Sequence, residues 1–277
     1  MQSDRLGILA IFASAVGYAF LAILLKWALA AGAAPLPLVA WRFGLGATFV
    51  LLLLLARRRP LPPPQAWPPL VGLGAIYAVN ALAFTFALQW VPASTAALIF
   101  YVYPVVVVLL AALFLGESLT LRRVAAMLLV VAGCGLTAGL GLRGGHPLGV
   151  GLVLLSMSSL SLYIVAARPV LANRPAHGSA ALIVTTTAVV ALGAALAGPG
   201  LALGGGSRAA ALVAIIALVS TALPITLFAI GLKRVDAGRA AMYSTIEPVI
   251  TVAAAALLLG ERIAAIQYLG GALILAG

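Results

Sequence analysis

The sequence predicts an all-α polytopic membrane protein of ten transmembrane helices, arranged as two inverted five-helix repeats. The 277 residues are 65% hydrophobic and only 8% charged, with a mean hydropathy of +1.24, which is more apolar surface than a soluble core can hide. The apolar runs are long and rich in Leu, Ala, Val and Gly, without strand-like alternation, and this favours helices over a barrel. The chain also repeats itself: STIEPVITVAAAALLLGE (Ser244 to Glu261) has the frame of FYVYPVVVVLLAALFLGE (Phe100 to Glu117).

Breaks at Pro, Gly and charge clusters divide the chain into segments at roughly 5–29, 36–56, 68–90, 93–115, 120–141, 148–170, 178–197, 209–232, 238–259 and 262–277, each near the ~20 residues that cross a bilayer. The first is read as a span rather than a cleavable signal peptide, because its apolar run from Leu6 to Leu25 exceeds a signal core and has a later counterpart. The linkers are short except RRRPLPPPQAW (Arg57 to Trp67), which is basic, proline-rich and not expected to be helical. No soluble domain fits anywhere.

A net charge of +11 would suggest nucleic acid in a soluble protein, but here the basic residues fall at segment ends and read as topology signals. With the N-terminus inside, the cytoplasmic ends carry Arg5, Arg57, Arg58, Arg59, Arg122, Arg123, Arg168, Arg174, Lys233, Arg234 and Arg239, eleven of the sixteen Lys and Arg. The outer half holds Lys26, Arg42, Arg143, Arg208 and Arg262. Both termini are therefore expected in the cytoplasm of a bacterial-type inner membrane, with the protein a monomer or homodimer. The single Cys134 lies in an apolar run, so no intrachain disulfide is possible.

At an offset of 144, fourteen of the thirty positions from Leu88 to Glu117 are identical to their counterparts, including Leu88/Leu232, Val91/Val235, Pro104/Pro248 and Glu117/Glu261. Leu and Ala matches are cheap in such sequence, but a paired Pro and Gly-Glu are not. Phe84 then faces Phe228 in the alignment, and Asn80 faces Pro224. The first segments align at an offset of 142, matching Leu6-Gly7 with Leu148-Gly149 and Ser14 with Ser156. The halves are residues 1–141 and 142–277. Five segments per half is odd, so the second copy enters the membrane from the other side, as in alternating-access transporters.

ALQWVPASTAALIFYVYPVVVVLLAALFLGESLT, its weaker second copy and WRF (Trp41 to Phe43) resemble the EamA-type transporters of the drug/metabolite transporter superfamily over nearly the whole chain. The resemblance implies ten helices in two inverted halves. Within the superfamily it points to the YddG-like exporters of aromatic and other neutral amino acids. The doubled motif itself says little about substrate.

Glu247 falls about ten residues into the ninth segment, near mid-bilayer, where a charged side chain costs about 3 kcal/mol unless it is neutral, paired or facing water. A continuous helix places Arg239, Tyr243, Glu247 and Thr251 on one stripe. Either the stripe lines the pathway, with Glu247 taking a substrate ammonium or a proton, or Glu247 packs a helix crossing against a neighbouring donor. Pro104 and Pro248 free the carbonyls of Phe100 and Ser244, and Pro224 frees that of Ser220. These are hinge or kink positions, or carbonyls that ligate substrate directly.

Asn80, with Tyr77 and Phe84 on the same face, suits an apolar metabolite with a polar end, or serves as interhelical glue. Tyr18, Tyr101, Tyr103 and Tyr163 line a cavity or pack. Arg42 is close enough to the outer surface to snorkel or pair, the alternative being a contact to a substrate carboxylate. Glu117 and Glu261 follow Gly at helix ends and are read as caps on the next helix.

No metal or cofactor site is expected. His146 and His177 are placed in loops near opposite faces, without metal spacing. There is no phosphate loop, so ATP drive is not encoded. An intramembrane hydrolase would need a histidine within the helices, and none is expected there. The leading function is a secondary transporter exporting small neutral metabolites, with amino acids foremost and the bilayer as the other partner. The alternatives are an uncoupled channel or facilitator and, distantly, a lipid enzyme.

Overall fold

The structure, a computed structural model, describes residues 2–87, 89–91, 96, 99–138, 146–259 and 265–276. Arg143, Glu261 and Arg262 lie outside the described residues, as do the side chains of Lys26 and Cys134. Among the described residues the elements are helical. They are α1 Gln2–Ala19, α2 Leu21–Ala30, α3 Pro35–Ala56, α4 Trp67–Ala87, α5 Tyr103–Leu115, α6 Leu121–Ala138, α7 Pro147–Ala172 and α8 Ala176–Ala197. After these come α9 Gly206–Ala217, a π-turn at Leu218–Ala222, α10 Leu223–Leu232, α11 Ala237–Ser244, α12 Ile246–Leu259 and α13 Ala265–Ala276.

Among the described residues six stretches are long and apolar enough to cross a membrane: Asp4–Ala30, Pro35–Ala56, Pro64–Ala87, Pro147–Ala172, Ala176–Ala197 and Gly206–Leu232, with Tyr103–Leu115 a shorter apolar helix. Leu55, Leu113, Leu121 and Leu257 are each more than 70% exposed, as expected of side chains that face lipid. Prolines open several helices: Pro35 begins α3, Pro104 is the second residue of α5, Pro147 begins α7 and Pro224 is the second residue of α10. At Pro35 and Pro147, which follow extended residues, the missing N–H has no intrahelical acceptor to lose, and at all four positions the fixed φ suits the helix.

Several expected segments are interrupted. The first is divided into α1 and α2 at Phe20, the eighth contains the π-turn, and the ninth is broken at Thr245 between α11 and α12. The proline-rich linker ends in a 3-10 turn at Pro64–Ala66, which the proline content had argued against. His177 lies in the first turn of α8 instead of a loop, so the helices do contain a histidine.

Helix α1 packs along α10 and α7 packs along α4. α1 also touches α12, and α7 touches α5. α3 lies against α8, and α6 packs chiefly on α13 at the edge of the bundle. Each of these contacts thus has its counterpart with the halves exchanged. Small residues permit the close crossings. A Cβ on Gly7 would lie 2.9 Å from Val235 Cγ2, and one on Gly149 would lie 2.9 Å from Val91 Cγ1; both the glycines and the valines are repeat partners.

Candidate functional site

The two repeated prolines end up at helix starts. A turn at Tyr101–Val102 precedes α5, and Thr245 separates α11 from α12, whose third residue is Pro248. The expected kinks are therefore true breaks. Glu247 occupies the first turn of α12, where the positive end of the helix dipole favours a carboxylate. The Tyr101 hydroxyl donates to its Oε1 at 3.4 Å. Thr251 Oγ1 donates to Glu247 O at 2.9 Å and to Ala19 O at 3.0 Å, tying α12 to the end of α1.

Arg42 does not snorkel. It is 6% exposed, and its Nε donates to Thr221 Oγ1 at 2.7 Å while Nη2 donates to Ser220 O at 3.4 Å. Ser220 O is the carbonyl that Pro224 leaves without a helical donor. The Thr221 hydroxyl in turn donates to Ile216 O at 3.0 Å in the last turn of α9, so the irregular backbone of one half is satisfied by an arginine of the other. Among the described residues no carboxylate lies within ion-pair distance of Arg42. Thr221 carried no signal in the sequence.

Around that arginine the aromatic residues meet. The hydroxyls of Tyr18 and Tyr77 are 3.0 Å apart. The Tyr77 and Tyr163 rings stand edge to face at 5.0 Å, and Phe43 meets Tyr77 at 6.1 Å. Four helices, α1, α3, α4 and α7, contribute to this cluster, in which Tyr77 and Tyr163 are buried. The Arg42 guanidinium carbon lies 4.8 Å from the Phe43 ring, which places it beside the cluster.

Asn80 is glued between helices: Ser156 Oγ donates to its backbone O at 3.0 Å and to Oδ1 at 3.1 Å. Ser14 Oγ donates to Pro224 O at 2.8 Å. Ser14 and Ser156 are repeat partners, and so are Pro224 and Asn80. The same crossing is therefore closed by the same bond in both halves. The aligned serines were visible in the sequence, but their acceptors were not.

Residues 5–139 and 147–277 each match the EamA-like transporter family. The chain belongs to that family. This EamA-like transporter is a multi-pass membrane protein built of two repeats. It is 29% identical over 272 residues to the uncharacterized transporter YcbK of Bacillus subtilis (strain 168), covering 92% of this chain and 86% of the relative. A solved crystal structure, 22% identical, superposes with a TM-score of 0.82 over 98% of this chain and 94% of its own, a likeness of fold.

In this EamA-like transporter the remaining candidates lie around the cluster. Phe84 meets Phe100 at 5.1 Å, and Phe100 meets Tyr101 at 6.2 Å and Tyr103 at 5.7 Å, an aromatic path from α4 toward Glu247. Tyr103, at the repeat position of Glu247, accepts at its backbone O from Ser161 Oγ at 3.4 Å. Tyr243 faces Phe12 at 5.5 Å and accepts from Arg239 Nη2 at 3.3 Å.

Glu117 does not cap the helix that follows it. Gly116, at φ 67°, turns the chain at the end of α5, a conformation glycine adopts without strain. The Glu117 carboxylate then accepts from Ala237 N at 2.8 Å and Gly238 N at 3.2 Å, capping α11 of the other half. Arg123 stands 3.6 Å from Glu117 and 3.8 Å from Asp236, which is itself 3.9 Å from Arg168.

Proposed function

We propose that this chain is a secondary transporter that exports small neutral metabolites, amino acids including aromatic ones, by alternating access through a central cavity. The observation that carries this reading is a buried arginine, in no ion pair among the described residues, set against the Phe43–Tyr77–Tyr163 aromatic cluster, together with a carboxylate held by Tyr101 where the other repeat has a tyrosine. A zwitterion satisfies both: its carboxylate goes to Arg42, its ammonium to Glu247, and its side chain against Tyr18, Tyr77 and Tyr163. Burying one isolated charge is strongly unfavourable, so a ligand that supplies the counter-charge is bound in preference to one that does not. Asn80 and the Phe84–Phe100 pair flank that path.

The halves, 1–141 and 142–277, are inverted because each holds five spans, and Pro104, Pro224 and Pro248 are where the halves flex. The paired Ser14–Pro224 and Ser156–Asn80 bonds support a twofold relation between them. The arginine-rich ends support cytoplasmic termini.

Uptake of labelled neutral amino acids into proteoliposomes, with and without a pH gradient, tests the proposal. Accumulation driven by the gradient supports coupled transport. Equilibration indifferent to the gradient indicates an uncoupled facilitator, and no amino-acid flux across the panel refutes the substrate class.

A further inference from the structure

We propose that the groove between α1 and α10 binds an anionic phospholipid from the leaflet at the arginine-rich end of the molecule. The groove encloses about 660 Å³. Leu6 and Leu9 of α1 face Leu227 and Ile230 of α10 across it, and Arg59, Lys233 and Arg234 stand at one end. Leu6 is 52% and Leu9 65% exposed, so the apolar wall opens sideways to lipid and not into the tyrosine cluster.

The cationic end is unopposed. Lys233 Nζ donates to Arg174 O at 2.9 Å and Arg234 Nη1 to Ile230 O at 2.9 Å, which leaves further N–H donors on both side chains. Among the described residues no Asp or Glu lines the groove, and none of the three cations is in an ion pair. Acyl chains suit the leucine wall, and a phosphate carrying net negative charge suits the basic end.

The repeat supplies an internal control. The equivalent groove of the other half, about 460 Å³, is lined by Leu148 and Phe86, the partners of Leu6 and Ile230. There the partners of Lys233 and Arg234 are Gln89 and Trp90, and the Trp90 ring meets His146 at 5.0 Å, tilted by 41°. The fold thus makes the groove twice but charges it once, so the architecture does not require the basic end. The uncharged copy instead carries a tryptophan of the kind enriched at membrane–water interfaces.

Native mass spectrometry of the purified full-length protein, titrated with phosphatidylglycerol or with phosphatidylcholine of the same acyl chains, tests this. The expected result is preferential retention of phosphatidylglycerol, weakened about fivefold for each of Arg59→Gln, Lys233→Gln and Arg234→Gln. Ala13→Phe, which fills the groove without altering charge, should weaken it as well. Arg57→Gln with Arg58→Gln, outside the groove, should leave it unchanged. Equal retention of the two lipids, equal loss in the Arg57/Arg58 variant, or displacement of the lipid by inorganic phosphate alone would overturn the proposal.

Discussion

Arg42 Nε donates to Thr221 Oγ1 at 2.7 Å, joining α3 to the π-turn that precedes Pro224. If the same guanidinium also takes a substrate carboxylate, Arg42→Gln should weaken amino-acid binding ten- to a hundredfold, the worth of a charge-assisted hydrogen bond of about 1.5–3 kcal/mol. Binding of an amine that lacks the carboxyl group should be far less affected. Arg42→Lys should rescue only part of the loss, because an ammonium cannot reproduce the planar fork. Calorimetric titration of the purified variants provides the comparison.

The two serine bonds should be of similar worth. Ser14→Ala removes the bond to Pro224 O, and Ser156→Ala removes those to Asn80. Each is expected to cost about 1 kcal/mol, visible as comparable drops in Tm. A large effect of one with none of the other would break the equivalence of the crossings.

Glu117 links the end of α5 to the start of α11, so Glu117→Gln should loosen α11 rather than the neighbouring α6. Loss of the charged cap, worth about 1–2 kcal/mol, should speed hydrogen exchange at the Ala237 and Gly238 amides about tenfold or more. Unchanged exchange there would assign the cap to Asp236 instead.

Close packing of α4 on α8 depends on Gly74, where a Cβ would lie 2.7 Å from Ile183 O and 2.5 Å from Thr186 Cβ. Gly74→Leu should destabilise by about 3 kcal/mol and lower the folded yield. Gly72, two residues earlier with open space around it, should accept Leu with little change in Tm. Chromatographic monodispersity and Tm distinguish the pair.

Much of this was legible because lipid imposes simple rules. The apolar lengths located α3, α7 and α8, and the doubled Pro marked where the fourth and ninth segments are interrupted, though as kinks and not as the helix starts they are. What could not be read was how the halves meet. Arg42 looked like a snorkelling residue because its depth was inferred from one helix, whereas its burial follows from a π-turn in another. Glu117 looked like a local cap because sequence spacing favours neighbours, and only the Gly116 turn sends it across to α11. Tyr18, Tyr77 and Tyr163 were each indistinguishable from packing residues until three helices brought them together.

In the proposed mechanism Glu247 takes the proton or the substrate ammonium, and the repeat isolates it, because Tyr103 fills the equivalent place. Transport by purified Glu247→Gln in proteoliposomes, followed from about pH 5.5 to about pH 8, tests this most directly. Gln keeps the shape and removes the only carboxylate described at this depth, so the variant should fold, while transport should fall and lose its pH dependence. A variant that transports at the wild-type rate with the wild-type pH profile would make the carboxylate structural and contradict the account.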